Sequence, residues 1–267
     1  MAAEPRGAIA APHARMLRGL AGLALLAAIV EVASRVGLVS GTSLPPASSI
    51  IARLVTLLAD LEFLAHLGGT LVAWALGLGL ATVVAVPLGI VLGWSRHTYL
   101  AATAAVELLR PIPSVALIPL AILLLGRGLD MKLALAAYAA LWPILINTTT
   151  GVRMVDPVAI DTARVYGLSG WASVRRVVLP SAAPFAFTGV RISAAIALIV
   201  VISAELVAGG GRGIGTWMLE ISQAGVPREL LYAGIVVTGL IGLLVNGIMV
   251  AGERRLFAWH QRVRGSS

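Results

Sequence analysis

Few residues in this chain could carry chemistry, and their spacing rules out most of what they could do. The single lysine, Lys132, follows Met131, so the chain has no GK[ST] phosphate loop and binds no ATP in that manner. His13, His66, His97 and His260 lie far apart and none belongs to an HExxH pair. There is no GxSxG nucleophile elbow, and Gly167-Leu168-Ser169-Gly170 misses its spacing. The run from Gly209 to Gly215 lacks the third glycine and the preceding strand of a dinucleotide loop, and reads as a flexible turn. Without cysteine there is no disulfide, thiolate nucleophile or cysteine metal ligand. No metal or cofactor is therefore expected. What remains is a set of polar residues inside apolar segments (Glu107, Arg110, Asn147, Arg191, Glu205) and one polar, basic stretch, Asp156 to Pro180.

The elements that hold these residues are set by composition. The chain has 267 residues, 59% hydrophobic and only 12% charged, with a mean hydropathy of +0.96. A soluble domain carries about 25% charged residues. The apolar material comes in blocks of bilayer length without the alternation of barrel strands, so the fold class is an all-α polytopic membrane protein. Six transmembrane helices are expected, over about 17–38, 67–94, 100–125, 133–150, 182–208 and 230–251. Residues 1–16 and 257–267 are read as tails, 17–66 as the first span and its connector, and 67–256 as the core, with a polar loop at 152–181.

Within this plan the connector holds a Leu44-Pro45-Pro46 turn and an amphipathic helix over Ala47 to Leu64. Glu31 and Arg35, spaced i, i+4, form a surface pair. In the second span Gly69, Gly77, Gly79, Gly89 and Gly93 offer small faces, the last two at GxxxG spacing, and Pro87 predicts a kink. Arg96 and His97 mark a short loop, and Gly126 to Lys132 another. The third span is broken by Pro111, Pro113 and Pro119. It also carries Glu107 and Arg110, which at i, i+3 are expected to pair inside the bundle. Glu205 is expected to pair with a neighbouring span, and Asn147 to bond between helices. A short helix to about Gln223 follows the glycine run.

The stretch Asp156 to Pro180 reads as two short helices. Asp156 caps the first with Pro157 in its first turn, and Gly167 ends it in a left-handed conformation. Ser169 caps the second, Trp171, Val174 and Val178 share one face, and Pro180 stops the run. With six spans both ends share a side. That side, with the Arg96 loop and this stretch, holds Arg6, Arg15, Arg18, Arg96, Arg153, Arg164, Arg175, Arg176, Arg254, Arg255, Arg262 and Arg264. The other side holds Arg53, Arg127, Lys132, Arg212 and Arg228, so twelve face five and both termini are read as cytoplasmic. The formal charge of +8 is spread between spans rather than gathered on one soluble face, which argues against nucleic acid.

Asp161-Thr162-Ala163, Gly167 four residues after Ala163, and Val177-x-Leu179-Pro180 resemble the EAA motif of ABC importer permeases, E-A-A-x-x-x-G, nine residues, I-x-L-P. Asp replaces Glu, Thr replaces the first Ala and Val replaces Ile, while the spacing is unbroken. Arg110-Pro111-Ile112-Pro113, Ile118-Pro119, Trp142-Pro143-Ile144 with Asn147-Thr148, and Ala204-Glu205-Leu206 before the glycine run are similar to the nitrate/sulfonate/taurine permease subfamily. This resemblance implies a type I importer permease fold and a homodimer in the membrane lipid. It further implies two cytoplasmic ATP-binding subunits that supply the ATP site, and an extracytoplasmic solute-binding protein.

By the same resemblance Asp161, Ala163, Arg164, Gly167, Ser169, Trp171, Arg175, Leu179 and Pro180 belong to an ATPase-coupling loop. Arg164, Arg175 and Arg176 pair with acidic groups of that partner or are ordinary cytoplasmic-side charges; the sequence leaves both open. Arg110, Pro111, Pro113, Asn147 and Glu205 are candidates for the translocation path of a small anion such as sulfonate, taurine or nitrate. Two alternatives are a pyrimidine-precursor importer of the same class and an ion-coupled secondary transporter, which would need internal repeats that the sequence does not show.

Overall fold

The computed structural model describes residues 12–38 and 44–257; the expected tails at 1–11 and 258–267 lie outside them. The described residues form helices α1 (Pro12–Arg35), α2 (Ala47–Leu57), α3 (Leu61–Trp94), α4 (Arg96–Leu109), α5 (Ile118–Leu125), α6 (Leu129–Arg153), α7 (Pro157–Val165), α8 (Gly170–Ser173), α9 (Leu179–Ala208), α10 (Ile214–Gln223) and α11 (Arg228–Leu256). Among them α1, α3, α6, α9 and α11 are long and apolar enough to cross a bilayer. Helices α4 and α5, with the 3₁₀ turn Ser114–Leu117 between them, make a sixth segment bent by 72°. The all-helical, six-span expectation holds, with α1 taking in residues 12–16 that were read as tail.

Helix α6 lies at the centre, packed between α3 and α9. In lipid no hydrophobic force drives helices together, so contact depends on close backbone approach at small residues. A Cβ added at Gly89 or Gly93 would sit 2.7 Å from Thr148 or 2.5 Å from Val152 of α6, and one at Gly189 of α9 would sit 2.9 Å from Ile144. The GxxxG pair therefore forms the α3–α6 seam. Gly79 has nothing within 4 Å and is no part of it. Overpacking a seam of this kind costs about 1–3 kcal/mol. Gly93→Val is expected to lower the thermal midpoint of the purified protein by several degrees, while Gly79→Ala leaves it unchanged or slightly raised.

Several boundaries differ from the sequence reading, each for a local reason. Asp60 accepts a hydrogen bond from Glu62 N–H and caps α3. The amphipathic helix thus ends at Leu57, not Leu64, and the second span starts at Leu61. Pro87 lies inside a single continuous helix. The Arg96 loop shrinks to Ser95, whose hydroxyl caps α4. Lys132 belongs to the first turn of α6, not to a loop. Pro180 does not stop its helix: α8 runs through a π-helical turn, Val174–Val178, straight into α9. A wider turn tolerates the absence of the Pro180 amide hydrogen, since the ladder there already departs from the i→i−4 pattern, with Leu179 N–H donating to Val174 O. The Glu31–Arg35 pair forms at 2.6 Å, and Glu31 also accepts from Ser48 N–H at 2.9 Å, tying α1 to α2.

Candidate functional site

At one end of the bundle the polar stretch folds as the capped hairpin its sequence predicts. Asp156 Oδ1 accepts from Val158 N–H at 2.9 Å, Pro157 fills the first helical position, and Ser169 Oγ accepts from Ala172 N–H at 3.3 Å. Gly167 adopts φ +75°. Its N–H donates to Arg164 O at 2.9 Å and Leu168 N–H donates to Ala163 O at 3.0 Å, the two bonds of a Schellman end. The hairpin sits on a small apolar core in which Val178 and Ala182 meet Val152 and Val155 at the end of α6, with Ile160 and Val177 at its edge. Hairpin, α6 and α9 are thereby packed as one body, and Ala163 is buried in it.

The outward side of this hairpin is apolar and open: Val165 is 86% exposed, Tyr166 82% and Trp171 75%. Trp171 does not share a face with Val174 and Val178, which are buried. The π-helical turn breaks the 3.6-residue period on which that face was read. Arg164 pairs with Asp161 at 3.0 Å on the exposed surface, where such a pair contributes about 0–1 kcal/mol. Arg175, Arg176, Leu179 and Pro180 are exposed along the same stretch.

At the opposite end a polar cluster locks the glycine run in place. Lys132 Nζ donates to Glu205 Oε1 at 3.1 Å and to Arg212 O at 2.7 Å, with side-chain exposures of 3% for Lys132 and 0% for Glu205. Glu205 also accepts from Thr70 Oγ1 at 2.9 Å and from Gly215 N–H at 3.0 Å. Thr70 Oγ1 in turn accepts from Ile214 N–H at 2.8 Å, and His66 Nδ1 accepts from Gly213 N–H at 3.1 Å. A side chain at Gly69 would strike Arg212 O, and one at Gly213 would strike Glu205, so the loop approaches as closely as backbone allows. This run is bonded to α3, α6 and α9 rather than hanging as a free turn. It delivers α10, whose Trp217 stacks edge-on against Phe63 at 4.8 Å between ring centres. The expected partner span of Glu205 exists, and it is α6.

The remaining path candidates do not converge. Asn147 Nδ2 donates to Pro143 O at 2.8 Å within its own helix, not to another helix, because residue 143 lies one turn behind it. Glu107 and Arg110 are exposed and do not pair. Arg110 is the C-cap of α4, still helical in backbone and bonded to Val106 O, so both residues stand at the exposed end of the helix rather than inside the bundle. The Leu109 carbonyl at this end of α4 accepts from Ile112 N–H at 3.2 Å and from Tyr138 Oη of α6 at 2.7 Å. Glu107 and Arg110 line a cavity of about 190 Å³ between α4 and α6, with Tyr99, Thr103 and Thr149.

Known proteins share this architecture. Residues 85–258 match the sequence profile of the binding-protein-dependent transport system inner membrane component. The aliphatic sulfonates transport permease protein SsuC of Bacillus subtilis is 31% identical over 93% of this chain and 90% of its own length. The taurine transport system permease protein TauC of Escherichia coli is 30% identical over 91% and 89%. The bicarbonate transport system permease protein CmpB of Synechococcus elongatus is 31% identical over 70% and 64%. In fold, the chain matches a structure of the inward-facing MetNI methionine ABC transporter with a TM-score of 0.61, covering 70% of this chain and 92% of that one at 20% identity. The bundle, the hairpin spacing and these relatives agree: the chain belongs to the binding-protein-dependent transport system inner-membrane components, as a multi-pass ABC importer permease of the group that includes the sulfonate and taurine permeases.

Proposed function

We propose that the chain works as a homodimer which imports a small solute bearing an oxyanion group, driven by two cytoplasmic ATP-binding subunits and fed by an extracytoplasmic binding protein. The observation that carries the coupling role is the hairpin 156–180. It presents an open ridge of Val165, Tyr166 and Trp171 while its inner side is packed on the ends of α6 and α9. A partner that grips the ridge moves those two helices with it. ATP binds to the partner, since this chain lacks a phosphate loop.

The solute class rests on the relatives, whose names share small solutes with a sulfonate or carbonate head, and among these the sulfonates and taurine lead. Arg110, with Pro111 and Pro113 at the break after α4, offers a guanidinium at an open cavity where an oxyanion could pass. The hairpin faces the cytoplasm by the twelve-to-five asymmetry of basic residues.

The deciding experiment is uptake into proteoliposomes holding the permease, its ATP-binding subunit and a binding protein loaded with taurine or an alkanesulfonate. Uptake that requires ATP is expected, and ATP-independent uptake by the chain alone would overturn the reading. Orientation has its own check, because the chain has no native cysteine. Trp171→Cys is expected to react with an impermeant maleimide in inverted vesicles and not in right-side-out cells.

A further inference from the structure

On the hairpin side of the bundle, three arginines from three separate elements border one cavity of about 510 Å³. Arg96 is the first residue of α4, Arg153 the last of α6, and Arg164 lies on α7. The only carboxylate in the lining, Asp161, is already engaged by Arg164 at 3.0 Å. Three positive groups against one negative leave the lining at +2. Arg153 is held over the Tyr99 ring at 4.1 Å, and neither it nor Arg96 meets a carboxylate among the described residues. The inner wall is apolar, made by Trp94 and Val152 where α3 and α6 end. Helix ends that carry a tryptophan and arginines mark the headgroup level of a bilayer.

We infer that this cavity binds a phosphate-bearing anion, the headgroup of an anionic phospholipid, with its phosphate on Arg96 and Arg153 and its glycerol against Trp94 and Val152. Guanidinium groups take phosphate in paired hydrogen bonds, and basic pockets between helices on the cytoplasmic side suit such headgroups. An amphiphile fits this lining better than a free ion because Trp94, Val152, Val155 and Ile160 make much of the wall apolar. One wall belongs to α7, so a bound headgroup ties the hairpin to the ends of α3 and α6. Its presence should therefore tune transport as well as occupy the cavity.

The test uses the full-length permease purified with its ATP-binding subunits. Lipid retained by the complex is measured by native mass spectrometry in phosphatidylcholine containing phosphatidylglycerol. Arg96→Gln with Arg153→Gln is expected to weaken phosphatidylglycerol retention by about 25-fold, taking roughly fivefold per basic residue at a membrane surface. ATP hydrolysis should rise when phosphatidylglycerol is added to phosphatidylcholine, and this rise should vanish in the double variant. If millimolar inorganic phosphate alone displaces the retained lipid and gives the same rise, the source is free phosphate and the lipid assignment fails. Retention unchanged within twofold overturns the site. So does a double variant equally impaired in pure phosphatidylcholine, which would assign the arginines to contact with the ATP-binding subunit. The retention measurement needs no transport, so its result stands apart from the uptake experiment.

Discussion

Glu205→Ala is expected to destabilise the protein by about 3–5 kcal/mol, because it leaves a buried lysine without its counter-charge. In the native protein Lys132 and Glu205 are almost wholly withdrawn from solvent and lipid, at 3% and 0% side-chain exposure. The variant strands more than the ammonium: Thr70 Oγ1 and Gly215 N–H also lose their acceptor. Glu205→Gln keeps an acceptor in place and should cost less than the alanine. A double change to apolar residues, Lys132→Met with Glu205→Leu, removes both charges together and should recover most of the loss, as buried pairs replaced whole often do. Thermal unfolding of the native protein, Lys132→Met, Glu205→Leu and the double variant in one detergent closes the cycle, and a coupling below about 0.5 kcal/mol would show that the pair holds nothing. Amide exchange gives the local counterpart: protection of residues 213–215 should fall in Glu205→Ala before that of α6 does.

This lock also shows what a sequence of this kind hides. That Glu205 needed a partner was legible, because a carboxylate inside an apolar span is costly alone. That the partner is Lys132 was not, because 73 positions separate them and Lys132 reads as the end of a polar loop. One signal was available: the chain has a single lysine, and it lies next to a span on the same side of the membrane as the outer end of the Glu205 helix. The features that were read correctly are set by neighbours in the chain. Asp156, Ser169 and Gly167 cap helices through bonds that reach two to five residues, and Gly89 with Gly93 forms a seam on one helix face.

The misreadings share one cause, since each assumed a regular helix or a partner where local backbone decided otherwise. Trp171 and Pro180 flank the π-helical turn at Val174–Val178, which shifts the period and carries the chain through the proline. Asn147 satisfies itself on the carbonyl one turn back. Glu107 and Arg110 lie exposed at the end of α4, not in the bundle interior where two charges would need each other. In a chain this apolar, hydropathy locates the spans, but it does not say which face of each is buried or where a span breaks.

For the hairpin, contact and geometry can be separated by two substitutions. Trp171 is 75% exposed, so Trp171→Ala should leave the thermal midpoint of the isolated permease unchanged. If the ridge grips a partner, an exposed tryptophan at its centre is the kind of residue whose loss costs about 2 kcal/mol or more of binding. The permease should then hold its ATP-binding subunits about 30-fold less tightly, with ATP-driven uptake falling in step. Gly167 tests geometry instead. Its φ of +75° suits glycine, and nothing lies within 4 Å of an added Cβ, so a substitution there acts through backbone strain and not through a clash. Gly167→Val is expected to cost about 1–2 kcal/mol locally, to undo the Schellman end and to reset the angle between α7 and α8. Gly167→Asn, which tolerates the left-handed region, should keep most of the activity. Uptake lost in Val and retained in Asn would tie transport to the angle of the hairpin. If uptake and subunit binding survive both Trp171→Ala and Gly167→Val, the hairpin does not carry the force, and the grip on α6 and α9 must come from elsewhere on the same face.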